Sequence, residues 1–162
     1  MVDSLVQIGM EAEAEVLDTR AEVSEAAFTT EGSRPEEEAR KDFFVERHGL
    51  RFAGTHLILD LWEAERLDDA AYMEEVLRRC VEAAGATLLH IHLHRFSPNG
   101  GISGVAVLAE SHISVHTWPE RGYAAFDVFM CGAARPHETI RLLREAFRPR
   151  RMTVNEQLRG VF

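Results

Sequence analysis

The side chains best suited to chemistry at neutral pH in this 162-residue chain are its eight histidines, its two cysteines and a few serines set among them. Six of the histidines, His56, His90, His92, His94, His112 and His116, fall in the strand-rich middle of the sequence. His90, His92 and His94 stand at i, i+2 and i+4, so on a strand their imidazoles share one face. They could contribute to a zinc site, but such sites usually add a carboxylate or cysteine at a recognisable spacing, and no H-E-x-x-H occurs. No metal is expected, and the histidines read as surface, interface or hydrogen-bonded groups with room for a catalytic one. Ser103 sits in GISGV, close to a nucleophile elbow. That turn needs a glycine two residues after the serine, whereas Gly104 follows at once, which disfavours a conventional serine hydrolase. Cys80, in VLRRCVEAAG, reads as a packing residue, and Cys131 stands apart in FMCG. Without a C-x-x-C spacing the pair builds neither a disulfide framework nor a zinc knuckle.

The elements that must hold these groups follow from periodicity. THLILDLW is an apolar run dense enough for a buried strand. LDDAAYMEEVLRRCVEAAG reads as a helix that Asp68 or Asp69 caps and Gly85 ends. In ATLLHIHLHRF, Leu89, Ile91 and Leu93 alternate with the three histidines, which predicts a strand with an apolar face and a histidine face. SPNGG is a loop, ISGVAVLAE and HISVHTW are β-rich runs, PERG is a turn and YAAFDVFMCG is a further strand. RPHETIRLLREAF is an amphipathic helix and RRMTVNEQLRG a last strand. The order β-α-β-β-β-α-β with short central turns predicts an α+β fold, a two-layer sandwich with helices on one face of a largely antiparallel sheet.

Composition narrows the class of function. The chain has material for one domain, with 46% apolar residues and a formal charge of -9. A nucleic-acid partner, which needs a basic face, is not expected. Residues 1–40 hold eleven acids and three bases, so nearly all the excess charge lies in that segment. It reads as an acidic, flexible N-terminal extension ahead of a nearly neutral domain over 41–162. No apolar stretch is long enough to span a membrane and the N-terminus lacks a secretory pattern, so a cytoplasmic location is the default expectation.

The block VAVLAESHISVHTWPERGYAAFDVFMCG resembles the bacterial and archaeal pyruvoyl-dependent S-adenosylmethionine decarboxylases, whose proenzymes carry an E-S-H-x-x-x-H-T-W-P-E segment and a downstream C-G. The resemblance runs from GTHLILDLW through HRFSPNGGISG to the final LRG, roughly the last two thirds of the chain. Decarboxylating an amino acid leaves an electron pair on the α-carbon that no natural side chain accepts, so an electron-withdrawing carbonyl must condense with the substrate amine. The resemblance implies that this carbonyl is a covalently bound pyruvoyl group derived from Ser111, forming a Schiff base with substrate, with no PLP. It would arise by autocatalytic serinolysis at Glu110–Ser111, leaving a β chain of residues 1–110 and an α chain of 111–162. His116 is then the proton acceptor in processing, Ser103 assists processing, and Cys131 is the proton donor in catalysis. Phe96 and Glu120 match substrate-binding residues, the first beside the adenine or sulfonium and the second near the ribose hydroxyls.

The same resemblance implies a homodimer of αβ units that stacks two sheets into a four-layer αββα assembly, with active sites at or near the subunit boundary. Many members read F-x-P-x-G-V-S-G, whereas this chain has one more residue between Phe96 and Ser103. That departure bears on substrate choice, since relatives that keep the self-cleavage machinery decarboxylate ornithine or arginine. Three readings stay open at this stage: an S-adenosylmethionine decarboxylase supplying the aminopropyl donor for spermidine, a pyruvoyl-dependent L-ornithine or L-arginine decarboxylase, and a non-catalytic α+β binding module.

Overall fold

The structure, a computed structural model, describes residues 44–162 of the chain. The acidic extension over 1–40 lies outside the described residues. Two short strands, β1 (Val45–Arg47) and β2 (Leu50–Phe52), form a separate hairpin that the sequence reading did not anticipate. Then follow β3 (Gly54–Trp62), α1 (Ala70–Ala84), β4 (Leu88–Arg95), β5 (Ile102–Leu108), β6 (Ser111–Trp118), β7 (Tyr123–Cys131), α2 (Glu138–Phe147) and β8 (Arg151–Arg159). The six later strands make one sheet in the order β4-β5-β6-β7-β3-β8, antiparallel throughout. The expected α+β sandwich is therefore the observed one.

Alternation along the strands decides which face meets the helices. Leu57, Leu59 and Leu61 of β3, Ile113 and Val115 of β6, and Phe126, Val128 and Met130 of β7 are buried in one cluster with Met73, Leu77 and Cys80 of α1 and Leu143 and Phe147 of α2. Burying an aliphatic or aromatic side chain of this size contributes about 1.5–3 kcal/mol. The intervening residues emerge on the other side of the sheet, which no helix of the described residues covers.

Helix α1 has the caps its sequence specifies. Asp69 accepts a hydrogen bond from the Tyr72 N–H at 3.0 Å, and Gly85 closes the helix with φ of 70°, a left-handed conformation that costs glycine least. Gly104 has a different reason: a Cβ there would collide with the His92 carbonyl oxygen across the β4–β5 pair.

Strand β4 differs in one detail. A register shift between Leu88 and His90 turns Leu88 toward the core and leaves Leu89 63% exposed. From His90 onward the expected alternation holds: Ile91 and Leu93 pack against the core, and the three histidines are exposed.

Candidate active site

The residues singled out from sequence gather at two places, one at each end of β6. At its C-terminal end, Ser103 of β5 stands in register with His116 of β6, and Ser103 Oγ lies 2.8 Å from His116 Nδ1. Ser103 is also the register partner of His94 on β4, so this serine lies between two histidine-bearing strands. The β4–β5 connection folds back over them. The Phe96 N–H donates to the Gly101 carbonyl at 2.8 Å, and the Gly100 N–H donates to the Phe96 carbonyl at 2.9 Å. Between this loop and the strand end is an open cleft of about 350 Å³ lined by Phe96, Ser103, His116, Trp118 and Glu120 among others. Phe96 is 50% exposed, which excludes a core role and leaves its ring on the cleft wall. Beneath the cleft, buried Thr117 accepts from the Ile102 N–H at 2.8 Å and donates to the Leu67 carbonyl at 2.8 Å, tying the strand end to the approach of α1.

At the N-terminal end of β6, the turn Ala109–Glu110 joins β5 to β6. Glu110 has φ of 61°, a left-handed conformation that an L side chain resists, so the peptide between Glu110 and Ser111 follows a strained residue. Ser111 Oγ accepts a hydrogen bond from the Cys131 N–H at 3.2 Å. Glu110, Ser111 and Cys131 share a cleft of about 230 Å³ with Gly85, Thr87 and Gly132. Burial, and then the negative charge of Glu110, push the Cys131 thiol above its ordinary pKa, which keeps the sulfur protonated. Arg135 fastens the far wall: its N–H donates to the Ala84 carbonyl at 2.9 Å and Nη2 to the Ala83 carbonyl at 3.2 Å, both at the end of α1.

The sequence-selected residues thus fall into a Ser111–Cys131–Glu110 group and a Ser103–His116–Phe96–Glu120 group. Five residues of extended strand separate Ser111 from His116, about 17 Å at roughly 3.3 Å per residue. Their odd spacing also sends the two side chains to opposite faces of β6. Ser111 follows the alternation of buried Ile113 and Val115, and His116 that of His112, Ser114 and Trp118. Trp118 was missed as a cleft residue, although the same period-two count puts it beside His116.

A third cluster lies on the helix-free face. Arg159 Nη1 donates to His56 Nδ1 at 3.3 Å, His56 Nε2 lies 3.3 Å from Asp127 Oδ1, and Ser114 Oγ donates to Asp127 Oδ2 at 3.1 Å. Because arginine only donates, His56 must carry its proton on Nε2, toward Asp127. Among the described residues, no group of three or more histidine, cysteine or acidic side chains is gathered closely enough to hold a metal ion. Nor is any described helix long and apolar enough to cross a membrane.

An antiparallel sheet backed by two helices, with its polar, chemistry-bearing side chains gathered at the two ends of one central strand, defines a protein of the α+β class. Comparison with known proteins gives its family. A family model described as S-adenosylmethionine decarboxylase matches residues 55–160. The S-adenosylmethionine decarboxylase proenzyme of Thermomicrobium roseum is 45% identical over 113 residues, covering 69% of this chain and 97% of that one. Its counterpart from Methanococcus maripaludis is 50% identical over 115 residues, covering 69% and 93%. Among solved structures, the adenosylmethionine decarboxylase of Aquifex aeolicus superimposes with a TM-score of 0.63 at 31% identity, covering 68% of this chain and 93% of that one. The chain belongs to the S-adenosylmethionine decarboxylase family.

Proposed function

We propose that this chain is a proenzyme that cleaves itself between Glu110 and Ser111 and then decarboxylates S-adenosylmethionine, giving the aminopropyl donor used in spermidine synthesis. The observation that carries the reading is the turn itself: a serine whose preceding residue is held at φ of 61°, with its hydroxyl fixed by the Cys131 N–H. Strain at Glu110 raises the energy of the intact amide, and attack by Ser111 Oγ relieves it. In that step the hydroxyl adds to the Glu110 carbonyl and gives up its proton, and the nitrogen of residue 111 departs, so an amide becomes an ester. Removal of the Ser111 α-proton then expels the Glu110 carboxylate by β-elimination, and hydrolysis of the resulting enamine releases ammonia and leaves a carbonyl at 111. Serine suits both steps, because Oγ is first nucleophile and then leaving group.

The residues present fit such a group. The carbonyl supplies the electron sink for the pair left by departing carbon dioxide. Cys131, protonated and lining the same cleft, is suited to return a proton to the substrate carbon. Ser103 and His116 are suited to oxyanion and proton handling, yet about 17 Å of strand separates them from the Ser111 of their own chain. A second copy resolves the mismatch. Ile58, Trp62, Val107 and Trp118 are 36–42% exposed on the helix-free face, which a second sheet would cover. Stacking two chains through that face gives the αββα order, and the reading assigns Ser103, His116, Phe96 and Glu120 of one chain to the Ser111 and Cys131 of the other. The Phe96 and Trp118 rings in the cleft suit a sulfonium and a purine through cation–π attraction and stacking. The relatives' names favour S-adenosylmethionine over ornithine and arginine.

Denaturing mass spectrometry of the purified protein tests this directly. Two fragments, 1–110 and 111–162, with a hydrazine-reactive carbonyl on the second, are expected, together with carbon dioxide release from S-adenosylmethionine. The Ser111→Ala variant is expected to remain one 18.3 kDa chain. Cleavage of that variant, or an unsplit and inactive wild type, overturns the reading.

A further inference from the structure

At the His116 end of the sheet, on the helix-free face, three strands present aromatic rings side by side. Trp118 closes β6, Tyr123 opens β7 and Trp62 closes β3, and the register pairs Trp118 with Tyr123 and Tyr123 with Trp62. The rings are stacked. The Trp62 and Tyr123 centroids are 4.3 Å apart with planes at 29°, and those of Tyr123 and Trp118 are 5.2 Å apart at 28°. At β8 the row is closed by Arg151, the register partner of Trp62, whose guanidinium carbon lies 5.2 Å from the Trp62 ring centroid. Toward β5 it is open. Continuing the β5–β6 register two residues beyond Ser103 and His116 brings Gly101 beside Trp118, and a Cβ on Gly101 would meet the Thr117 carbonyl oxygen at 2.8 Å. No side chain fills this next place in the row. Beyond it, across the β4–β5 connection, stands Phe96, whose N–H donates to the Gly101 carbonyl. Phe96, Gly101 and Trp118 all line the cleft of the Ser103–His116 pair, so the gap in the row belongs to that cleft.

Tyr123 stands behind Trp118 and is anchored from outside the row. Its hydroxyl donates to Asp60 Oδ1 at 2.6 Å, and Asp60 Oδ2 accepts from Thr153 Oγ1 at 3.3 Å, so one carboxylate on β3 ties β7 to β8. The bond to Asp60, and then burial, push the Tyr123 hydroxyl up to about 12, which keeps it a donor at neutral pH. Trp118 is 42% exposed, and the Tyr123 ring backs it. A half-exposed indole loses rotamer freedom when a ligand stacks on it, and a ring held behind it removes part of that loss in advance.

Resting on the reading above, we propose that Tyr123, anchored by Asp60, is a positioning residue for substrate affinity: it holds the Trp118 indole in place so that the substrate's purine enters the gap over Gly101, between Trp118 and Phe96. Strands β4 and β6 are two strand spacings apart, about 9.6 Å at roughly 4.8 Å each, and a ring in van der Waals contact on both faces takes about 7 Å. A single flat ring therefore continues the stack. Tyr123 touches the row and not the ligand, so its whole effect passes through Trp118. The purine is remote from the reacting carbon, and its stacking is the same in ground state and transition state. Losing Tyr123 therefore raises KM and leaves kcat in place.

A double-mutant cycle tests this, with 5′-methylthioadenosine as the probe, because that thioether carries the purine without the substrate's amine and carboxylate. On processed enzyme, calorimetry is expected to show Tyr123→Leu binding the probe about tenfold more weakly than wild type. Tyr123→Phe, which keeps the ring and loses only the Asp60 anchor, is expected to lose about threefold. In a Trp118→Leu background neither change is expected to weaken binding further, because the ring that Tyr123 positions is gone. Turnover of S-adenosylmethionine by Tyr123→Leu is expected to show the same rise in KM, with kcat within about twofold of wild type. Should Tyr123→Leu fail to fold, the cycle with Tyr123→Phe decides. Losses that multiply with that of Trp118→Leu, full-strength binding in the Tyr123 variants, or a fall in kcat along with the rise in KM overturn the positioning role and leave the self-cleaving decarboxylase standing. A wild type that neither splits nor releases carbon dioxide overturns that broader reading, and this proposal with it.

Discussion

The two ends of β6 are built on different principles. At Ser111 the chain stores strain in its backbone, burial holds a thiol protonated, and the end of α1 closes the cleft. At His116 the backbone is regular, the polar side chains are exposed, and a hydrogen bond between two strands sets the geometry. In the proposed function the first end breaks and makes bonds within its own main chain. In the same proposal the second moves protons for something placed against it. The two parts lie about 17 Å apart on one chain, and the proposed pairing of two copies joins them, each copy supplying what the other lacks.

Mixing two crippled chains is the strongest way to break that comparison. Ser111→Ala and His116→Ala are each expected to be inactive alone. Co-expressed with different tags and isolated as the mixed pair, they contain one complete site of two. About half of wild-type activity is expected per mixed dimer, or about a quarter in an unsorted random mixture. Separation into inactive monomers, or mixed dimers as dead as the parents, would mean that Ser111 and His116 act within one chain.

The Ser111 end can be sharpened by its thiol. In the unprocessed Ser111→Ala background Glu110 stays in the chain, and Cys131 is expected to alkylate slowly at neutral pH, because burial and the Glu110 charge both disfavour the thiolate. Glu110→Gln removes that charge, so the alkylation profile is expected to move to lower pH. Cys80 gives no background, being fully buried with its thiol pushed up to about 12. An unshifted profile in the Glu110 variant would separate the thiol from the turn.

Much of this architecture was legible beforehand because period-two and period-3.6 patterns are dense here. The caps Asp69 and Gly85, the strand over HISVHTW and the histidine face of β4 all follow from local rules that tertiary packing did not override. The β1–β2 hairpin was not legible, since VER and LRF are too short and too polar to show a period, and the turn between them rests on His48 in a left-handed conformation. Leu88 and Leu89 were indistinguishable until the register shift chose between them. The site motif gave residue identities without their grouping. Five residues on one unbroken strand mean opposite faces and a long separation, but the motif says nothing of this until the segment is known to be extended throughout.

Helix α1 connects the two ends, which yields the smallest predicted effect. Its 15 residues span about 22 Å at roughly 1.5 Å each, close to the length of strand between Ser111 and His116. Its approach touches the His116 end, where Arg95 Nε donates to the Asp68 carbonyl at 3.1 Å and Thr117 to that of Leu67. Its far end, at Gly85, lines the Ser111 cleft. Asp69→Ala removes the N-cap without touching either site, so Tm at neutral pH is expected to fall by a few degrees with processing unchanged. The Tyr72 N–H, and then Arg66, hold the Asp69 carboxyl below the usual carboxylate range. A depressed folded-state pKa stabilises above the unfolded value and stops doing so as pH falls through the folded one. The gap in Tm between wild type and variant is therefore expected to narrow in acid, below the ordinary carboxylate range. A gap that stayed constant would mean that the cap acts through shape alone, and a matching loss of processing would mean that α1 transmits strain from one end of β6 to the other.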